Sequence, residues 1–536
     1  MEKMARFFSF QASKMGRLRP PHVILTLILL FASFLRLYKV EQYMTFLGDE
    51  GRDMLAIYDI LHGHLTLLGP ASSVGGFFLG PIYYYFAAPF LYLSKYNPVG
   101  PSIMVALFGI ATVFLVYKIG KEFFGERAGL IASFLYAISP VVIIYSKSSW
   151  NPNIVPFFSI VTLYLLYKGI ARNKKLFLIG SGFSFGILMQ LHYLASFMGV
   201  VMFLYVAATA FLGHSDRFIN KAMRFALNSI SVFLGFVMGF LPFLLFEFRH
   251  DLLNTKNILR FILSSEETGL GISFVPQVWH VFERLFAGLV ANYPLPAHFY
   301  EYSNGALFLW MVFAIILAVL STTLFVSLLR KGDVFSKKSL FLFLWFFVPL
   351  VLFGFYNKDV YDYYLGIIFP LPFLLVGNFV SKLWETRFRN INPSLMRLSA
   401  VLLLGILAFM SLHNTPVKRG QNQQVKQIRD ISNLVLSTAG ERPFNFAIVT
   451  GGNSDYAYRY FFKLAGKEPT VIETPALDPE RKTVTDQLLI VCETLPCEPL
   501  GQAKWEIAGF GRSEIDAEWN FSVVKIIRLK HFRENE

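Results

Sequence analysis

Apolar runs, each about long enough to cross a bilayer core as a helix, recur along the first four fifths of the chain. Eleven are read: Val23 to Leu37, Pro101 to Tyr117, Ala128 to Tyr145, Ile154 to Tyr167, Leu176 to Leu191, Leu194 to Leu212, Phe225 to Phe246, Gly305 to Leu329, Leu340 to Phe355, Tyr363 to Val380 and Leu398 to Leu412. With 55% hydrophobic and only 16% charged residues, the 536-residue chain lies outside the range of soluble enzymes. Its 58 Phe and 25 Tyr exclude disorder, and its two cysteines exclude a disulfide scaffold or a Cys-rich metal site. The first run follows Lys3, Arg6, Lys14, Arg17 and Arg19 but lacks a small-x-small cleavage site, so it reads as an uncleaved anchor.

The net charge of +14 points to nucleic acid only if the cations gather on a soluble surface, and they do not. Lys and Arg concentrate on the cytoplasmic side of membrane proteins, which tests the span count. With Phe77 to Leu93 taken as a non-crossing segment of the outer leaflet, segments 1–22, 117–129, 168–175, 213–224, 330–338 and 382–397 carry 23 Lys+Arg against 6 Asp+Glu. The opposite segments 40–79, 146–153, 249–303 and 357–364 carry 7 against 12. The expected topology is therefore a multi-pass membrane protein with a cytoplasmic N-terminus and no nucleic-acid partner.

From Asn414 the composition changes to that of a soluble, electroneutral segment with 16 basic and 16 acidic side chains. Helical periodicity at Gln421 to Ser437 and Asn453 to Leu464 alternates with strand-like runs at Phe444 to Val449, Gln487 to Val491, Trp505 to Ala508 and Ser522 to Leu529. The expectation is a transmembrane domain over 1–413, with a first outer loop at 40–100, and an extracytoplasmic α/β domain over 414–536. Cys492 and Cys497, both in that domain, are read either as a local disulfide or as two free thiols.

Chemistry in such a chain is expected where polar groups gather at one depth, and here they gather at the outer ends of the spans. Beyond the first span stands G-D-E-G-R-D, Gly48 to Asp53, followed by an amphipathic run from Met54 to Leu61 suited to the interface. Asp49 and Glu50 beside Arg52 are placed to act as a general base or to hold a metal; the alternative is a solvated helix N-terminus. Asn151 ends the third span, His192 the fifth, and Glu247, Arg249, His250 and Asp251 the seventh. Arg249 is the expected partner of Glu247, either as an orienting ion pair or, with His250, as a positive field for phosphate. Tyr363 and Tyr364 complete the ring, as pocket residues or as an aromatic belt.

This order of features resembles the GT-C glycosyltransferases that use a polyprenyl-phosphate-linked sugar, in particular the branch of protein O-mannosyltransferases and the lipid A aminoarabinose transferase. The resemblance rests on D-E-x-R at Asp49, Glu50 and Arg52, an interfacial helix, and Gly80-Pro81 opening the Tyr83-containing Y-Y-Y-F. It extends to Ser139-Pro140, Leu191-His192-Tyr193, F-E-F-R-H-D at Phe246 to Asp251, and Tyr363-Tyr364 ahead of Phe369-Pro370. It implies a mainly α, GT-C membrane enzyme that moves a sugar to a glycan, lipid or protein acceptor on the outer face in one inverting step. Asp49, with Glu50 beside it, matches the base position. Arg249, His250, His192 and Arg52 would surround the donor phosphate, and Tyr83, Asn151, Tyr363 and Tyr364 would line the substrate pocket. The chain departs from that pattern in having Gly80-Pro81 in place of Lys-Pro and Asn151 in place of a second acidic residue. No cofactor is required by this reading, and a divalent metal is compatible with it.

A transporter or lipid flippase is the alternative, and it would need ionisable residues at mid-membrane depth or broken-helix repeats, neither of which is evident. The pattern G-F-S-F-G at Gly182 to Gly186 matches a hydrolase elbow but lies inside a span, where small residues serve helix packing.

Overall fold

The computed structural model describes residues 20–72, 75–212, 217–263, 274–331, 336–356, 358–386 and 392–532. The basic leader from Lys3 to Arg19 lies outside the described residues. Among the described residues seven helices are long and apolar enough to cross a membrane: Pro20–Leu37, Val99–Phe124, Asn151–Arg172, Tyr193–Phe211, Phe218–Gly239, Asn304–Leu328 and Pro393–His413. The chain is thus a multi-pass membrane protein. Seven of the eleven expected spans are among these helices, and the other four runs form shorter or broken helices. The third run is cut into Glu126–Ile138 and Pro140–Tyr145, because Pro140 drives Ser139 into an extended conformation. Lys175–Leu191 and Lys337–Phe353 have 17 residues each, about 26 Å, and the second carries Pro349 in its interior. The tenth run opens on a 3₁₀ turn, Asp362–Ile367, and leaves a 16-residue helix, Pro370–Glu385.

The Phe77 to Leu93 stretch forms the helix Ile82–Leu93, whose 12 residues reach only about 18 Å. The amphipathic run, expected along the interface, packs its apolar face on the protein. It belongs to the helix Gly48–Leu61, whose apolar residues Met54, Ile57 and Ile60 are buried inside the protein.

Small residues set the closest helix contact. A Cβ on Gly182 would stand 1.9 Å from the Val232 carbonyl oxygen, so Lys175–Leu191 and Phe218–Gly239 touch backbone to backbone. The G-F-S-F-G pattern therefore serves packing. The other face of Phe218–Gly239 exposes Phe218, Phe233 and Met238, as a lipid-facing helix does.

Beyond His413 the chain forms the helix Gln424–Ala439, β1 (Asn445–Val449), the helix Tyr456–Leu464, β2 (Gln487–Cys492), β3 (Ser513–Phe521) and β4 (Val524–His531). The sheet order is β1-β2-β4-β3, with β1 and β2 parallel in the register Asn445 to Leu488 and the other pairs antiparallel. Trp505–Ala508 is a short helix rather than a strand; the Trp505 indole donates to the Ile472 carbonyl and pins it beside the sheet. The β3 strand has no counterpart in the sequence reading, although Ala517, Trp519 and Phe521, partly buried, alternate with the exposed Asp516, Glu518 and Asn520. Cys492 and Cys497 are joined by a disulfide.

This segment grips the loop that follows the first span. Gly51 has no room for a side chain, since a Cβ there would lie 2.3 Å from the Ala457 backbone nitrogen. Lys463 pairs with Asp59 at 2.6 Å, the Tyr460 hydroxyl donates to the Tyr96 carbonyl at 2.7 Å, and Asn453 Oδ1 accepts the Gly48 amide at 2.9 Å. The helix Gly48–Leu61 is therefore held between the bundle and the tail.

Helix contact through Gly182 makes a prediction. Gly182→Ala is expected to lower the thermal midpoint in detergent by the equivalent of about 1–3 kcal/mol, the usual cost of overpacking. Gly180→Ala, where a Cβ would meet only a Leu165 methyl at 3.4 Å, is expected to leave the midpoint nearly unchanged.

Candidate functional site

The helix Gly48–Leu61 starts with two carboxylates, and the structure gives them different tasks. Glu50 is buried, and its Oε2 accepts the Leu47 amide at 3.0 Å, capping the helix. Burial pushes Glu50 up to about 7, against the pull of that amide. Asp49 is half exposed and is held at Oδ1 by Arg52 Nη1 at 2.7 Å. Arg52 also donates through Nε and Nη2 to Asp53 Oδ1, at 3.1 and 2.8 Å.

Asp53 was not among the residues expected from sequence. It is fully buried, takes a third hydrogen bond from the Tyr84 hydroxyl at 3.3 Å, and leaves Oδ2 without a protein partner. Burial pushes Asp53 up to about 6, against the attraction of Arg52. Its spacing of four from Asp49 on one helix face was the available signal.

Two cavities meet at this helix. The first, of about 310 Å³, is lined by Asp49, Arg52, Trp150, Asn151, His192, Tyr193, Tyr363 and Tyr364, with Pro70 to Ser72, Leu79 and Pro152. The second, of about 540 Å³, is lined by Asp49, Glu50, Thr45, Tyr145, Ser148, Trp150, Asn153 and the tail residues Gly452 to Ser454. Asp49 and Trp150 belong to both walls. Asp49, Asn151, His192, Tyr363 and Tyr364 of the ring read from the ends of the spans thus line one space, although the tail's contribution had no local sequence signal.

Asn151 Nδ2 donates to the Leu191 carbonyl at 2.6 Å, joining the ends of two helices beside the first cavity. His192 follows that carbonyl, buried against the rings of Tyr193 and Tyr364. Burial pulls its imidazole down to about 3, so it is neutral near pH 7 and contributes hydrogen bonding rather than charge. Its Nδ1 accepts the Leu194 amide at 3.3 Å, which assigns the proton to Nε2. Tyr363 packs against Trp150 with ring centroids 4.5 Å apart.

Three expected residues lie elsewhere. Arg249 and His250 are exposed at the end of Leu241–Arg249 and line neither cavity, and the His250 ring stacks on Phe246 at 4.0 Å. Glu247 does not pair with Arg249. It turns back to accept the Asn254 and Thr255 amides at 3.1 and 2.7 Å, because a helix N-terminus offers a buried carboxylate its donors without the desolvation of a second charge. Tyr83 is fully buried and spends its hydroxyl on Ser149 Oγ at 2.7 Å, outside both cavities. Gly80 is glycine for a steric reason, since a Cβ there would lie 2.3 Å from Gln190 Cγ. Among the described residues no three His, Cys, Asp or Glu side chains gather as metal ligands, and Arg52 already occupies one oxygen of Asp49.

The profile of the dolichyl-phosphate-mannose-protein mannosyltransferases matches residues 79–244, a stretch that begins after the Asp49 to Asp53 turn. A putative mannosyltransferase of Bacillus subtilis (strain 168), YkcB, is 30% identical over 108 residues, covering 20% of this chain and 15% of that protein. The crystal structure of ArnT from Cupriavidus metallidurans bound to undecaprenyl phosphate superposes with a TM-score of 0.59 at 13% identity, over 95% of this chain and 97% of that one. The archaeal oligosaccharyltransferase AglB from Archaeoglobus fulgidus, in complex with an inhibitory peptide and a dolichol-phosphate, superposes with a TM-score of 0.50 at 13% identity, over 88% of this chain and 69% of that one. This chain shares its fold with ArnT and AglB.

Burial of Glu50 makes a pH prediction. Its folded value near 7 exceeds the unfolded value near 4.5, so the native state binds the extra proton between them. Its contribution to stability is full below about 4.5 and is lost as pH rises through about 7. The thermal midpoint of wild type is expected to fall from pH 5 to pH 8. Glu50→Gln, which keeps an acceptor for the Leu47 amide, is expected to flatten that slope by up to about 3 kcal/mol. An equal slope in both proteins would remove Glu50 as its source.

Proposed function

We propose that the chain is a membrane glycosyltransferase that moves a sugar from a polyprenyl-phosphate donor to an acceptor hydroxyl, with Asp49 as general base. The observation that carries this reading is that Asp49 stands in the wall shared by two cavities, partly exposed in each, at one end of a helical bundle. The profile match and the fold likeness to enzymes of lipid-linked sugars support the same chemistry. The expected topology puts this end, with the tail, outside the cytoplasm.

The first cavity receives the donor. Arg52 and the neutral imidazole of His192 face it as hydrogen-bond donors, and Trp150 with Tyr363 offers the aromatic surface that a sugar face stacks on. The second cavity receives the acceptor, with hydroxyl and amide groups from Thr45, Ser148, Asn153 and the tail.

Arg52 fixes one oxygen of Asp49, and the other faces the acceptor. As the acceptor oxygen attacks the anomeric carbon, its proton passes to Asp49. The bond from that carbon to the phosphate oxygen breaks on the opposite side, its electron pair leaves with the lipid phosphate, and the configuration inverts. Donors preorganised on the phosphate side stabilise the charge that develops there. Glu50, committed to the Leu47 amide, is a positioning residue rather than a second base. No step is routed through a metal here: among the described residues no three His, Cys, Asp or Glu side chains gather as ligands, and Arg52 holds one oxygen of Asp49.

Membranes containing the wild-type chain are expected to consume a labelled polyprenyl-phosphate hexose with formation of glycosylated product. Asp49→Asn is expected to reduce the rate by about 10³-fold, the range of a lost general base, at unchanged membrane insertion. A wild-type rate in that variant would remove Asp49 from the role.

A further inference from the structure

A second polar groove lies at the opposite end of the bundle. The helix that begins at Asn151 beside the first cavity ends at Arg172, about 32 Å away, which is one hydrocarbon thickness. There, between that helix and Val99–Phe124, opens a groove of about 670 Å³. Leu115, Val161, Leu165 and Phe177 form its apolar wall, and Lys118, Lys121, Lys168 and Arg172 form its charged end.

The ion pairs in this groove are unevenly shared. Glu122, its one carboxylate, is bound by Lys168 and by the Tyr164 hydroxyl, and Lys121 pairs with Glu126 at 2.5 Å. Lys118 stands over the Tyr164 ring at 5.7 Å, and among the described residues neither it nor Arg172 forms an ion pair. Both are exposed. Arg172 acts on Glu122 only at a distance, so two exposed cations without a direct ion pair, above an apolar wall that continues into the hydrocarbon, match an anion carried on acyl chains.

We infer that this groove binds an anionic phospholipid of the leaflet opposite the catalytic cavity, with its phosphodiester between Lys118 and Arg172 and its acyl chains along Leu115, Val161, Leu165 and Phe177. A soluble anion would gain nothing from the apolar wall, and a zwitterionic lipid would bring its own cation to the two exposed ones. This site is independent of the sugar-transfer reading.

The test reconstitutes the full chain into phosphatidylcholine vesicles with phosphatidylglycerol as the minor lipid, extracts it in mild detergent, and measures retained lipid by mass spectrometry. Wild type is expected to retain phosphatidylglycerol in preference to phosphatidylcholine. The double variant Lys118→Ala with Arg172→Ala is expected to lose that preference by on the order of twentyfold, as two cations at a charged surface imply. The control Lys467→Ala with Lys482→Ala, exposed lysines of the tail, is expected to keep it. No preference in wild type, an equal loss in the control, or release of phosphatidylglycerol by inorganic phosphate at matched ionic strength would overturn the assignment.

Discussion

Arg52 is shared between two carboxylates on one turn of helix, and that sharing fixes the site. Asp53 is wholly buried, and a buried carboxylate persists only where a cation or several donors meet it. Arg52 meets it with two nitrogens and has one left for Asp49. The guanidinium therefore cannot swing away without stranding Asp53, and Asp49 inherits the rigidity of a charge it does not itself bury. The orphaned Asp53 Oδ2 and the Tyr84 hydroxyl complete a small polar core behind the cavity wall.

That turn of helix is held from both sides. On the bundle side its apolar face is buried with the Ile82–Leu93 helix, and on the other the glycine at 51 admits the backbone of Ala457. The tail is thus part of the wall of the second cavity through Gly452 to Ser454, and its removal would expose both that cavity and the N-terminus of the helix. Spans of ordinary membrane character supply the frame, with small residues allowing the closest approach and lipid-facing Phe and Met on the outside.

Much of this was legible in the sequence because polar residues at the ends of apolar runs are costly and therefore informative. Asp49 and Arg52, Asn151, His192, and Tyr363 with Tyr364 were read from four separate stretches, and the fold brings all six residues to one cavity. Arg249 and His250 carried the same signal and lie outside, because the helix phase after Leu241 turns them to the surface while Glu247 folds back to cap the next helix. Asp53 was missed because a third carboxylate in one turn looks like a solvated face. The roles of Gly452 to Ser454 and the close contact at Gly51 had no local signature at all, since they depend on chain some four hundred residues away. The break in the third apolar run had only Pro140 as its signal, because the run looks continuous as composition.

The central claim is that donor phosphate and acceptor approach Asp49 from different cavities. An electron-microscopy structure of the full chain with a polyprenyl phosphate bound tests it most directly. The account predicts the phosphate in the cavity bounded by Arg52, His192 and Tyr363, with the cavity toward Asn453 left open. A phosphate seated in the second cavity, or at the exposed Arg249 and His250, would contradict it.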